Sequence, residues 1–121
     1  MIYEQGEPMS ADCIFCKIAS KQIPVEAIYE DEEFLAFRDA NPQAPVHVLL
    51  IPKAHYETLL DVIDSGLLGR ALLATGETAR RLKLENEGFR TVINTREDGG
   101  QTVYHLHIHI LGGRFMSWPP G

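Results

Sequence analysis

Tyr104-His105-Leu106-His107-Ile108-His109-Ile110-Leu111 sets three imidazoles at alternate positions of an apolar run. Strand periodicity puts His105, His107 and His109 on one face and Leu106, Ile108 and Ile110 on the other. A small domain has little reason to line one face of a core-type strand with titratable rings unless that face does chemistry. One zinc ion held by all three is disfavoured, because at roughly 3.3 Å per residue the Cα atoms of His105 and His109 stand about 13 Å apart. A nucleophile with two helpers fits better: an imidazole near neutral pH can attack phosphorus and can also donate or accept protons. The plainer alternative is a strand whose histidines face solvent.

The run is approached through Asp98-Gly99-Gly100-Gln101-Thr102 and ends at Gly112-Gly113-Arg114. Two readings of the approach stand side by side. Backbone amides gathered in a glycine turn, with the Thr102 hydroxyl, form a concave donor site for phosphate oxygens. Asp-Gly is equally the signal of a simple hairpin turn.

Composition bounds the rest. A chain of 121 residues is one domain, able to bury somewhat under about 70% of its unfolded surface. Seventeen acidic against eleven basic side chains give a net charge of −6, and Lys and Arg gather only at Arg80-Arg81-Lys83. Polymeric nucleic acid is therefore not an expected partner. No apolar stretch approaches a membrane span, and Met1 to Pro8 lack the basic and apolar regions of a signal peptide, so a cytoplasmic location is expected. Residues 1–12 read as a flexible extension, with Met9 as an alternative start.

The pattern along the chain is α+β. A short helix is predicted over Cys13 to Ser20, and strands over Ala27 to Tyr29, Phe34 to Phe37, Val46 to Ile51, Phe89 to Asn94 and Tyr104 to Leu111. One long helix is predicted from Asp64 to Glu85, on Leu68, Leu72, Ala79 and Leu82, with Glu87-Gly88 as its stop. A sheet of about five mainly antiparallel strands with the helices on one side is the expected packing. Gly66, Gly69 and Gly76 weaken the long helix by propensity.

Gln101-Thr102-Val103-Tyr104-His105-Leu106-His107-Ile108-His109-Ile110-Leu111-Gly112-Gly113-Arg114 resembles the signature of the histidine triad superfamily, in its Hint branch. Further blocks agree in order: Ile14-Phe15-Cys16-Lys17-Ile18 with Ile23-Pro24, Ala36-Phe37-Arg38-Asp39, Asn41-Pro42-Gln43-Ala44-Pro45-Val46-His47, Ile51-Pro52-Lys53-Ala54-His55 and Trp118-Pro119-Pro120-Gly121. The likeness spans residues 13–121. It implies a single histidine-triad domain there, a homodimer, and cleavage of the P–N bond between AMP or GMP and an amine. His107 is then the nucleophile, forming a nucleotidyl-histidine. His109, His47 and His105 orient it and move protons, and no metal is required for the chemistry.

The purine nucleoside monophosphate or phosphoramidate would lie against Phe15, Ile18, Ile23 and Phe37, each of which has plain core packing as its alternative reading. Asp39 suits the ribose hydroxyls, although a surface turn acid is its plainer reading. Asn94, Gly100, Gln101 and Thr102 would face phosphate and leaving group; Thr102 stands where close relatives often have serine. Cleavage of dinucleoside polyphosphates, or a nucleotide- or zinc-binding interaction module with weak catalysis, are the alternative functions. Cys13 and Cys16 supply two metal-type ligands but not four. The resemblance adds His55 and His105 to them as a structural zinc set, with reduced buried thiols as the alternative. The resemblance also places the long helix in the dimer interface, where its small residues either let two backbones approach or are neutral drift. The tail, residues 114–121, is expected to reach the partner subunit's site, its tryptophan needing a surface to bury against, with an exposed frayed terminus as the alternative.

Overall fold

The computed structural model describes residues 12–121. The expected extension therefore lies, apart from Asp12, outside the described residues. Strands β1 (Ala27–Glu30), β2 (Phe34–Arg38), β3 (Val46–Pro52), β4 (Phe89–Val92) and β5 (Ile108–Gly112) form one sheet in the order β1-β2-β3-β5-β4. All four pairings are antiparallel. β5 enters between β3 and β4, so the histidine strand is an interior strand paired on both sides.

Alternation along β2 and β3 sorts side chains to two apolar layers. Phe34, Ala36, Val48, Leu50, Ile108 and Ile110 form one core with Leu67, Ala71, Ala74 and Ala79 of helix α2 (Ser65–Arg81). Leu35, Phe37, Leu49 and Ile51 form the other with Phe15, Ile18 and Ala19 of helix α1 (Ile14–Ala19). The helices thus cover opposite faces, not one side as expected. β2 and β3 are buried on both faces, and a sheet so placed needs a cover on each.

α2 begins where the Asp64 carboxylate accepts the Gly66 amide at 2.9 Å, an ordinary N-cap. It stops at Arg81, short of the expected Glu85. Lys83 takes a left-handed φ of 62°, and the Leu84 amide turns back to the Ala79 carbonyl at 3.0 Å. The turn drives Leu84 onto Gly112, where a Cβ would lie 2.7 Å from the leucine Cδ2. A 3₁₀ turn at Leu59–Asp61, closed by a capping box between Thr58 and Asp61, was not expected.

The histidine strand is also shorter than expected, starting at Ile108 rather than Tyr104. β3 ends at Pro52, and its carbonyl is taken by His105 Nε2 at 2.8 Å. The Leu106 amide goes instead to the Tyr56 carbonyl. Side chains still alternate, since Leu106 joins the α2 core with Ile108 and Ile110. β4 ends at Val92, two residues early, as the chain turns into the loop that Asn94 braces through a 2.7 Å bond to the Gly99 carbonyl.

Leu50 is fully buried between sheet and α2, whereas Ile63 is 82% exposed. Leu50→Ala is expected to cost about 2–5 kcal/mol in urea unfolding and Ile63→Ala under about 0.5 kcal/mol. Equal costs at the two positions would contradict this core assignment.

Candidate active site

β3 and β5 bring His47 and His109 together. Leu49 faces His109 directly in the antiparallel register, so His47, two residues before Leu49, is its diagonal neighbour. His47 Nε2 stands 2.9 Å from His109 Nδ1. The proton positions on this line follow from its fixed ends. The Gln43 amide donates to His47 Nδ1 at 2.9 Å, and a backbone N–H can only donate. A neutral His47 therefore carries its proton on Nε2 and gives it to His109 Nδ1. A neutral His109 in turn carries its proton on Nε2.

The same reasoning assigns His107. Its Nδ1 lies 2.7 Å from the carbonyl oxygen of His105, which can only accept. A neutral His107 holds its proton on Nδ1 and presents a bare Nε2 lone pair. The His107 and His109 rings are 5.0 Å apart, edge to face, and Phe15 meets His107 edge-on at 5.2 Å. One ring therefore offers a lone pair beside another that offers a proton.

Burial sets the charge state. It pushes His109 down to about 4, with the neighbouring His107 and His47 rings adding to the effect and Asp39 opposing it. His47 is lowered for the same first reason, with Asp39 opposing and His107 adding. Asp39 Oδ2 is 3.4 Å from His47 Nε2. Because burial outweighs the carboxylate, that approach is not an ion pair at neutral pH. The other Asp39 oxygen accepts the Asn41 amide at 2.8 Å.

His105 has left the row. Its ring is fully buried, and burial holds its pKa down at about 4 despite the hydrogen bond to Pro52. With Nε2 given to the Pro52 carbonyl, its Nδ1 lies 3.2 Å from Cys13 Sγ, 3.6 Å from Cys16 Sγ and 3.1 Å from His55 Nδ1. Cys16 Sγ is 3.3 Å from His55 Nδ1. The expected catalytic share of the His105 ring is therefore corrected: both its nitrogens are engaged away from His107 and His109, and only its carbonyl serves the nucleophile. The four ligand atoms of Cys13, Cys16, His55 and His105 lie within 4.8 Å of one another.

A HIT domain model matches residues 20–116. The chain belongs to the HIT family. It is 55% identical over 115 residues to an uncharacterised HIT-like protein of Synechococcus elongatus, covering 93% of this chain and 100% of that one. It is 50% identical over 103 residues to Protein HitA of Neisseria gonorrhoeae, covering 84% and 95%. The fold matches a crystal structure described as a HIT family hydrolase from Legionella pneumophila, with a TM-score of 0.87 and 50% identity over 91% of this chain and 100% of that chain. A histidine triad protein from Clostridium difficile matches with a TM-score of 0.85 and 43% identity over 89% and 96%.

The remaining candidates of this HIT domain divide. Phe15, Ile18 and Phe37 are buried in the α1 core, with Ile23 packed partly exposed against them. Asn94 braces the glycine loop from within. Gln101 is a brace as well, not a phosphate ligand: its Nε2 donates to the Glu57 and Val103 carbonyls and its Oε1 accepts the Arg96 amide. The Gly100 and Gln101 amides close onto Glu97 and Arg96, so the turn reading holds for them and neither is a phosphate donor. Gly100 keeps the loop possible with its φ of 81°, and Thr102 is exposed at the loop's exit.

Gln43 and Pro52, which orient His47 and His105 through backbone atoms, were missed. Backbone partners leave no residue-type signature, although Pro42 and Pro45 bracketing Gln43 do mark a tight turn. The tail tryptophan is not buried among the described residues. Trp118 is 80% exposed, and Arg90 lies 5.9 Å from its ring centre while donating to the Ser117 carbonyl at 2.8 Å.

Because folding lowers the His109 pKa from 6.5 to about 4, the unfolded chain takes up the proton first as pH falls. The contribution is complete above about pH 6.5 and is lost progressively toward about pH 4. Urea unfolding of His109→Asn is expected to lose roughly 1–2 kcal/mol less than the unsubstituted protein between pH 7 and pH 5. Identical pH slopes would contradict a buried neutral His109.

Proposed function

We propose that this HIT protein hydrolyses the P–N bond of purine nucleoside phosphoramidates through a nucleotidyl-histidine on His107. The observation that carries the reading is the 2.7 Å bond from His107 Nδ1 to the His105 carbonyl, which leaves Nε2 as a lone pair. Solved neighbours described as HIT family hydrolases support hydrolysis as the reaction class. The P–N bond and the purine nucleoside come from the likeness of the histidine signature to the Hint branch. Asp39 beside the relay suits a ribose, and Phe15 with Ile23 offers the apolar edge for a base.

In the first half, His107 Nε2 bonds to the α-phosphorus as the P–N bond to the amine breaks. The departing nitrogen needs a proton, which His109 supplies from Nε2. A bound phosphate anion favours the imidazolium and so offsets the burial that otherwise keeps His109 neutral. The Asp39 carboxylate beside the pair opposes the effect of burial and so also favours the charged ring. In the second half, water attacks the phosphorus, returns a proton to His109 and releases His107 Nε2, leaving the nucleoside monophosphate.

Cys13, Cys16, His55 and His105 fit a structural zinc ion. Bonds of about 2.0 Å to nitrogen and about 2.3 Å to sulfur set tetrahedral ligand atoms roughly 3.3–3.8 Å apart; four of the six separations here run from 3.1 to 3.6 Å, and all six lie within 4.8 Å. Two cysteines and two histidines close the coordination shell, so the ion would supply folding energy and no open catalytic position. Asp39, His47 and His109 also cluster within 4.8 Å, but the 2.9 Å line between their rings has the length and termini of a hydrogen bond. The homodimer belongs to the same reading, since Leu73 on α2 and Trp118 are 75% and 80% exposed and offer apolar surface for a second copy to cover.

A fluorogenic adenosine phosphoramidate is expected to turn over in the presence of a chelator. His107→Ala is expected to lower kcat/KM by roughly 10³-fold or more while AMP binding persists. Undiminished turnover in His107→Ala, or no turnover in a folded protein that binds AMP, would overturn the hydrolase reading. Metal analysis of the purified protein is expected to give zinc near one per chain and almost none for Cys16→Ala; equal zinc in both would rule out the four-ligand set.

A further inference from the structure

The nucleophile touches the thiol–imidazole cluster at two points, one covalent step apart on each side. His107 Nδ1 donates to the carbonyl of His105, the residue whose ring is clamped between the Pro52 carbonyl on Nε2 and Cys13, Cys16 and His55 on Nδ1. Phe15 is the second point. It lies between Cys13 and Cys16 in sequence, and its ring meets His107 edge-on at 5.2 Å and His105 at 5.8 Å. The backbone between the two histidines is fixed as well, because the Leu106 amide bonds to Tyr56, the residue after His55.

Residues 105–107 lie outside the ladder of β5, which begins at Ile108. Among the described residues no strand pairing holds the His105 carbonyl in line, so its direction depends on the anchorage of the His105 ring and the Leu106 amide. A ring fixed on both nitrogens and fully buried is a rigid anchor. Removing its Nδ1 partners frees one end, and a displacement near 1 Å at a reacting atom can cost on the order of 10²-fold in rate.

We infer that Cys13, Cys16 and His55 are positioning residues for the nucleophile, holding the His105 carbonyl that keeps the His107 proton on Nδ1. The inference deepens the phosphoramidase reading and rests on its choice of His107. None of the three touches the reacting atoms; they act through His105 and, for the two cysteines, through Phe15.

The test combines ¹⁵N NMR of the His107 ring with steady-state kinetics in His55→Ala and Cys16→Ser. Leu50→Ala, on the opposite face of the sheet, serves as the control for lost stability. In the unsubstituted protein at neutral pH, the directly bonded proton is expected on His107 Nδ1. In His55→Ala and Cys16→Ser the ring is expected to show a mixture of tautomers. Their kcat should fall by about tenfold or more with KM within about threefold of the parent. Leu50→Ala should keep the single tautomer and the parent kcat. Where His55→Ala unfolds, Cys16→Ser carries the comparison, because it replaces one sulfur by oxygen in the same place.

A single Nδ1–H tautomer in the folded cluster variants would overturn the inference, and so would a kcat loss no greater than in Leu50→Ala. The NMR arm reads the same interaction without turnover. Failure of the phosphoramidase reading, seen as no His107-dependent hydrolysis in the parent, is thereby distinguished from failure of the positioning role.

Discussion

The site depends on a single hydrogen bond, from His107 Nδ1 to the carbonyl of His105 at 2.7 Å. A neutral imidazole has one proton and two nitrogens, and a carbonyl partner settles which nitrogen keeps it. That choice leaves Nε2 as a lone pair beside His109, whose own proton is sent to Nε2 by the line from Gln43 through His47. Two opposite assignments therefore arise on adjacent rings, one set directly by a backbone carbonyl and the other by a backbone amide acting through the His47 ring. The net stability in each such bond is modest, about 0.5–1.5 kcal/mol, so its value here lies in direction rather than in strength.

The fold makes those directions possible by covering both faces of the sheet. α2 packs on Leu50, Ile108 and Ile110, which lets β5 run inside the sheet between β3 and β4 with its histidine face turned toward α1. α1 then supplies Phe15 against His107 and the two cysteines against His105. The same cover removes solvent from the rings and holds His105 and His109 neutral at ordinary pH. Neutrality is what makes the tautomer relay meaningful, since a doubly protonated ring has no lone pair to offer.

The period-2 pattern made part of this legible in the sequence. Leu106, Ile108 and Ile110 do share the α2 core, and the histidines do lie on the other side. The strand limits were not legible, because they depend on Pro52 ending β3 and giving its carbonyl to a side chain 53 residues away. Residue spacing likewise could not assemble Cys13 with His105 across 92 positions; only the family likeness grouped them with His55. The position of Gln101 in a glycine loop suggests a ligand contact, whereas its side-chain polar atoms bond to Arg96 and Val103 at the loop and tie it to the Glu57 carbonyl. The end of α2 was overshot because a lysine in the left-handed region has no sequence signal as strong as the Gly88 that follows it.

The central claim is that His107 reacts through Nε2 because Nδ1 is committed to the His105 carbonyl. The most direct measurement is to quench a burst of adenosine phosphoramidate turnover into alkaline denaturant and locate the adenylyl group on the ¹⁵N-labelled protein by mass spectrometry and ³¹P–¹⁵N coupling. The account predicts one adduct, on His107, with phosphorus bonded to Nε2. An adduct on His107 Nδ1, or on any other residue, would contradict it.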